Sequence, residues 1–179
     1  MRIAFAFVCL WMFVACKPYY TTEDFARVPK IDTHVHLNSA SNTMGKLAEA
    51  DNFKLVTVNV DAPGVALGQQ LGYALIQTSL FPKDISFVAS FSIPDAQPAG
   101  WQDAVIRQLD SAFNKGALGI KVWKNIGMVY RDSAGQFIMI DDSMFDPIIK
   151  FVIDRDKMVL GHLGEPKKLL AAAGPNDGE

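Results

Sequence analysis

The stretch Lys30-Ile31-Asp32-Thr33-His34-Val35-His36-Leu37 decides how the rest of this chain is interpreted. We predict a strand over residues 31–36 within it. Because alternate residues of a strand share one face, His34 and His36 are expected to point the same way, with Asp32 beside them. Two imidazoles at that spacing can bind one divalent metal ion through their ring nitrogens. Two histidines that lie close together by chance would give the same pattern, so other parts of the chain have to decide between the two interpretations.

The third and last histidine lies near the other end of the chain, in Met158-Val159-Leu160-Gly161-His162-Leu163-Gly164-Glu165-Pro166. The two cysteines, Cys9 and Cys16, both fall in the first sixteen residues. The body of the chain therefore has neither a disulfide framework nor a thiolate zinc site. A metal ion in this protein would have to use His, Asp, Glu or a modified Lys.

Composition sets broad limits on function. The chain has 179 residues, of which 50% are hydrophobic and 20% are charged, and this is enough for one globular core. The formal net charge of −2 offers no electrostatic reason for binding to nucleic acid. We expect a small-molecule substrate instead, and composition does not determine the oligomeric state.

The N-terminus has the pattern of an export signal. Arg2 precedes an apolar run of 13 residues, 3–15, which is too short to span a bilayer as a helix. The run ends in Phe13-Val14-Ala15-Cys16, which resembles the lipobox of bacterial lipoproteins. We predict a signal peptide over residues 1–15, lipidation of Cys16 and a lipid-anchored tether over residues 16–29. The protein would then be an exported cell-envelope lipoprotein, periplasmic or associated with the outer membrane; a plain secretory signal and a buried hydrophobic helix are the alternatives.

Strand-like and helix-like segments alternate after the tether. Predicted strands cover residues 31–36, 54–60, 85–93, 117–123 and 157–163, and predicted helices cover 43–50, 67–80, 101–114 and 142–156. Such alternation implies parallel strands with right-handed crossovers. The turn after the first strand, Leu37-Asn38-Ser39-Ala40, lacks the glycines of a dinucleotide-binding sheet. We therefore predict an α/β fold that is an incomplete (β/α)₈ TIM barrel with about five βα units.

Three motifs together resemble the amidohydrolase superfamily of metal-dependent hydrolases, in its amidohydrolase/decarboxylase-like branch. They are Asp32-Thr33-His34-Val35-His36, Gly116-Ala117-Leu118-Gly119-Ile120-Lys121-Val122-Trp123 and Gly161-His162-Leu163-Gly164-Glu165-Pro166. The resemblance covers roughly residues 30–167. It implies a divalent metal ion, zinc by preference, bound by His34, His36, Lys121 and His162, with Lys121 carbamylated.

Single residues of these motifs have competing interpretations. A charged Lys121 in the middle of an apolar strand is costly, and carbamylation would turn it into an anionic ligand; a lysine that reaches solvent at the strand end is the alternative. We expect Glu165 to contact the substrate or a second-shell histidine, and a helix-capping role is the other interpretation. Asp32 is expected to support the site from below, and Lys124 to face the opposite side.

The resemblance also predicts what this chain lacks. A (β/α)₈ barrel needs ~250 residues. The family pattern requires a histidine on strand six and a general-base aspartate on strand eight, so the catalytic residues are unknown here. We interpret residues 168–179 as a frameshifted tail, because codons can be chosen for these residues that encode the family-like continuation Asn-Cys-Trp-Leu-Pro-Leu-Asp-Gln-Met in a frame shifted by one base.

Three functions follow from this pattern. The first is a metal-dependent hydrolase of amide, ester or lactone bonds, truncated and inactive in the present form. The second is a metal-dependent decarboxylase on the same barrel. The third is a non-catalytic lipoprotein fragment, for which exposed strand edges would be an aggregation liability.

Overall fold

The computed structural model describes residues 20–94 and 98–162, and within them five strands form one parallel sheet. The strands lie in the order of the chain, so that each pairs with its predecessor. Their bounds are β1 Lys30–Val35, β2 Phe53–Val58, β3 Ile85–Ser90, β4 Gly119–Val122 and β5 Met158–Gly161. The sheet is curled and alternates with helices, as the sequence predicts for an α/β fold.

Helices follow the strands in the chain. They are α1 Thr43–Ala50, α2 Leu67–Leu80, α3 Trp101–Asn114, the short α4 Asn125–Met128 and α5 Asp146–Asp154. Right-handed crossovers between neighbouring strands place successive helices on the same face of the sheet. The opposite face is left for the predicted site.

The core lies between that helical face and the strands. Its larger cluster joins side chains of β3 and β4 to α2, α3 and α5, and includes Phe87, Ala89, Ile120, Ala74, Leu109 and Val152. A smaller cluster under α1 contains Leu37, Ala48, Leu55, Phe81 and Ile85. In the smaller cluster the Phe81 ring packs directly against Gly45, where an added Cβ would overlap that ring. Burial of these side chains, at about 25 cal/mol per Å² of apolar area, is the main contribution to stability.

The predicted helices α1, α2 and α3 are confirmed at both ends. The prediction of one helix over residues 142–156 is wrong at its start and extends two residues beyond the observed end at Asp154. A 3₁₀ turn, Ser143–Phe145, comes first, and α5 then begins at Asp146 with Pro147 in its first turn. Proline is tolerated there because the first-turn N–H groups have no partner within the helix. The four later strands are shorter than predicted, because pairing ends where the chain turns into the loops.

The chain between β4 and α5 holds structure that the sequence did not indicate. Inside α4, Ile126 and Gly127 leave helical geometry, and Gly127 has φ +90°. A bridge between Arg131 and Phe137 then closes a small antiparallel loop. Residues 123–142 are called the β4–α5 loop below.

The predicted signal peptide, residues 1–15, and Cys16 lie outside the described residues. In the described part of the predicted tether, the Phe25 ring packs 6.1 Å from that of Phe53, and the Arg27 carbonyl accepts a hydrogen bond from Asn52. No helix within residues 20–94 and 98–162 is long and apolar enough to cross a membrane.

Candidate metal centre

The first predicted histidine pair lies where β1 departs from regular pairing with β2. Asp32 pairs with Leu55, and Val35 pairs with Thr57. The step between these pairs is three residues on β1 but only two residues on β2, so β1 contains one extra residue there. Since Leu55 and Thr57 share a face, Asp32 and Val35 also share one, and both line a cavity under α1. The prediction that Asp32 lies beside the two histidines is therefore wrong: the irregularity turns it to the helical side, where its Oδ1 accepts the backbone N–H of His34 at 3.0 Å.

His36 is held from the neighbouring strand. Its Nδ1 lies 2.7 Å from the carbonyl oxygen of Val58. A carbonyl oxygen can only accept, so Nδ1 carries the proton and the lone pair of a neutral His36 is at Nε2. The next residue, Leu37, is buried, and its N–H donates to Thr57 Oγ1 at 3.0 Å. Residues 36 and 37 are thus fixed on opposite faces of the sheet.

The fold brings all three histidines of the chain together. The rings of His34 and His36 have centroids 5.1 Å apart, and those of His34 and His162 are 6.0 Å apart. All three lie at the carboxyl ends of strands, His34 and His36 at β1 and His162 just after β5. Residues 126 positions apart in the chain, 36 and 162, become part of one cluster because the sheet curls.

Burial acts on the basicity of this cluster. The pKa of His34 is lowered from its usual value, chiefly by burial, and further by the positive charges of Lys121 and His36; the nearby Asp32 carboxylate opposes these effects. The neutral imidazole is therefore favoured at neutral pH. Neutral imidazole is the form that binds metal ions.

Lys121 lies on the same face as the histidines. It pairs with Ser90 on one side and with Leu160 on the other, and Leu160 is two positions before His162. The residue is only 2% exposed, and burial lowers the pKa of its ammonium. Within the described residues no hydrogen bond or ion pair is seen for the ammonium, although the side chain is almost entirely buried. An unpaired buried ammonium is costly.

Trp123 completes the cluster, although the sequence did not single it out. Its ring meets that of His162 edge to face, with centroids 4.7 Å apart. Trp123 follows Lys121 by two positions, and that spacing is the only signal in the sequence that could have placed it on this face. The Lys124 ammonium lies 5.6 Å from the centre of the Trp123 ring.

The close approach of β5 to β4 depends on a glycine. Gly119 pairs with Met158, and a Cβ at Gly119 would overlap the Met158 carbonyl oxygen and side chain. Only glycine allows β4 and β5 to approach this closely. Gly119 thereby sets where His162 lies relative to Lys121. Glu165, the predicted substrate contact, lies outside the described residues.

The donor types of this cluster fit a zinc ion, and two of its ring separations can be compared with those of a zinc site. Two imidazoles that bind one tetrahedral zinc through ~2.0–2.1 Å bonds have ring centroids about 5–6 Å apart. The two centroid separations around His34 fall in or near that range. Among residues 20–94 and 98–162, no three His, Cys, Asp or Glu side chains are grouped closely enough to hold a metal ion as they stand. The side chains would therefore have to move closer together before they could bind one ion.

Comparison with family models and with curated proteins gives no match to this chain.

Proposed function

We propose that this chain carries the histidine and lysine ligands of a metal-dependent hydrolase that acts on amide, ester or lactone bonds. The observation that carries the proposal is the convergence of His34, His36 and His162 on the sheet face that also holds the buried Lys121. We further propose that the curled sheet is part of a (β/α)₈ barrel, in which carboxyl ends of strands form the active site.

Each side chain would have a distinct task. His36 would bind through Nε2, since Val58 occupies Nδ1. His34 would bind in its neutral form, which burial favours. A carbamate on Lys121 would supply an anionic oxygen and remove the unpaired ammonium. Zinc bound there would polarise a substrate carbonyl and lower the pKa of water to about 7.

Trp123 would form one wall of the site. Its ring meets that of His162 edge to face, with centroids 4.7 Å apart, and would border the bound metal ion on that side. An aromatic ring at this place offers an apolar surface next to the histidine ligands.

Zinc binding is the direct test. Purified chain is titrated with Zn²⁺ by calorimetry, and Co²⁺ is used for absorption spectra that report nitrogen and oxygen ligation. We expect one site per chain that is lost in His34→Ala and in His162→Ala. The matched control is Asn38→Ala, an exposed change two positions after His36. Equal zinc affinity of the wild type and both histidine variants would refute the proposal.

Ester hydrolysis tests for hydrolase activity of the chain. p-Nitrophenyl acetate serves as the probe, with zinc present or removed by chelation. Zinc-dependent release of p-nitrophenol that disappears in His34→Ala would show hydrolase activity and contradict the prediction that this chain is inactive. Zinc binding without any ester cleavage agrees with that prediction and is shared by the decarboxylase alternative.

A further inference from the structure

Asp61 joins three separate parts of the chain at the end of the sheet that holds the histidines. It follows β2, and its carboxylate accepts hydrogen bonds from Ser92 Oγ at 2.8 Å, Asn125 Nδ2 at 3.2 Å and Tyr130 Oη at 3.3 Å. Ser92 follows β3, and Asn125 and Tyr130 belong to the β4–α5 loop. One carboxylate therefore ties together the segments after three successive strands.

Two parts of this hydrogen-bonded group, the segment of Asp61 and that of Ser92, are also bonded to side chains of helices. Val60, next to Asp61, exchanges two backbone hydrogen bonds with the buried side chain of Gln70, at 2.9 and 2.8 Å. The carbonyl of Ser92 accepts the indole N–H of Trp101 at 3.0 Å. The backbone next to Asp61 and the backbone of Ser92 are thus each held by a side chain of a neighbouring helix.

The other two partners of Asp61, Asn125 and Tyr130, belong to the β4–α5 loop, which has little regular structure. Asn125 and Tyr130 bracket the kink at Ile126 and Gly127, and both donate to the same oxygen, Oδ2 of Asp61. The residues on either side of the kink are therefore hydrogen-bonded to the same carboxylate. Asn125 lies only two positions after Trp123, whose ring packs on His162.

We propose that Asp61 is a positioning residue for the candidate metal centre. It holds Asn125 and Tyr130, thereby fixes the start of the β4–α5 loop, and so places the Trp123 ring against His162. The proposal rests on the proposed function only for its consequence on zinc; the placement of Trp123 is independent of it.

The test uses the ring proton signals of histidine in NMR spectra of the full chain. Only three histidines occur, so single His→Gln variants assign every signal. The ring current of Trp123 changes the chemical shifts of the His162 ring protons. The Trp123→Leu variant gives the chemical shifts of these protons without that ring. We expect Asp61→Asn to move the His162 signals toward those values and to weaken zinc binding by about tenfold.

Two comparisons keep the test specific. Asp103→Asn makes the same charge change at an exposed residue of α3 and should leave the His162 signals and zinc affinity unchanged. Tyr130→Phe removes one donor without a change of charge and should give a smaller shift in the same direction; it also carries the test if Asp61→Asn does not fold. His162 signals at their wild-type position in Asp61→Asn or in Tyr130→Phe would overturn the proposal. A wild type that binds no zinc would refute the proposed function, while the His162 shift would still decide the role of Asp61.

Discussion

The carbonyl oxygen of Val58 lies 2.7 Å from Nδ1 of His36, so the strand next to β1 determines which nitrogen of this histidine is available. The contact spans 22 positions of the chain. It orients the imidazole before any ligand arrives, which lowers the entropic cost of binding. The lone pair at Nε2 is consequently the one available to a metal ion.

The buried lysine should make the protein less stable than it could be. Lys121→Met removes an unpaired ammonium at a 2% exposed position, and we expect the free energy of unfolding at pH 7 to rise by about 1–3 kcal/mol in bicarbonate-free buffer. Urea denaturation measures the change. Lys115→Met, at the exposed end of α3, is the control and should alter stability little. A less stable Lys121→Met variant would contradict the assignment of an unpaired ammonium.

Stability should also depend on pH through this lysine. Its folded pKa lies below 10.5, so between the two values the unfolded chain binds more protons than the folded chain. The free energy of unfolding should therefore rise as pH increases from the folded pKa toward 10.5. Urea denaturation of the wild type and Lys121→Met at a series of alkaline pH values isolates this contribution, which should be absent from the variant.

Carbon dioxide should react with the same side chain. Burial increases the fraction of neutral amine, which is the form that attacks CO₂ to give a carbamate and a proton. In ¹³C-bicarbonate with zinc present, we expect one carbamate signal in ¹³C NMR. It should persist in Lys115→Met and vanish in Lys121→Met; its persistence in Lys121→Met would place the modification elsewhere.

Acid should weaken the fold through His34. Its folded pKa is below 6.5, chiefly because of burial, so the unfolded chain binds more protons just below that pH. The contribution to stability is present above pH 6.5 and is lost as pH falls toward the folded pKa. Comparison of unfolding curves at pH 7.5 and 5.5 should show a smaller loss for His34→Gln than for the wild type. Equal losses would show that His34 is not the group responsible.

Gly119 should tolerate no side chain. Gly119→Ala forces a Cβ into the Met158 carbonyl, and we expect a loss of about 1–3 kcal/mol in stability with weaker zinc binding, because β5 and His162 must move. Gly161→Ala adds the same methyl group on β5, where no atom of residues 20–94 and 98–162 lies within 4 Å, and is the matched control. Similar effects of the two substitutions would argue against a steric requirement at Gly119.

Local pattern was sufficient for most of the secondary structure. Helices α1, α2 and α3 begin and end where the sequence predicts, because apolar spacing along a helix is a property of neighbouring residues. The alternation of strands and helices also predicted a parallel sheet with His34, His36 and His162 at the carboxyl ends of strands. The start of α5 was misjudged because the 3₁₀ turn before Pro147 depends on how Phe145 packs in the core.

The sequence alone determined the residue types available for a metal site and the strands that carry them. Only the tertiary structure decided which of these residues meet. The irregular pairing of β1 with β2 turned Asp32 to the helical side, and the register of β4 with β5 placed Trp123 beside His162. Asp61 acquired partners 31, 64 and 69 positions away in the chain. Periodicity reports which face a residue occupies within its own strand, whereas contacts over such separations depend on strand register and loop closure.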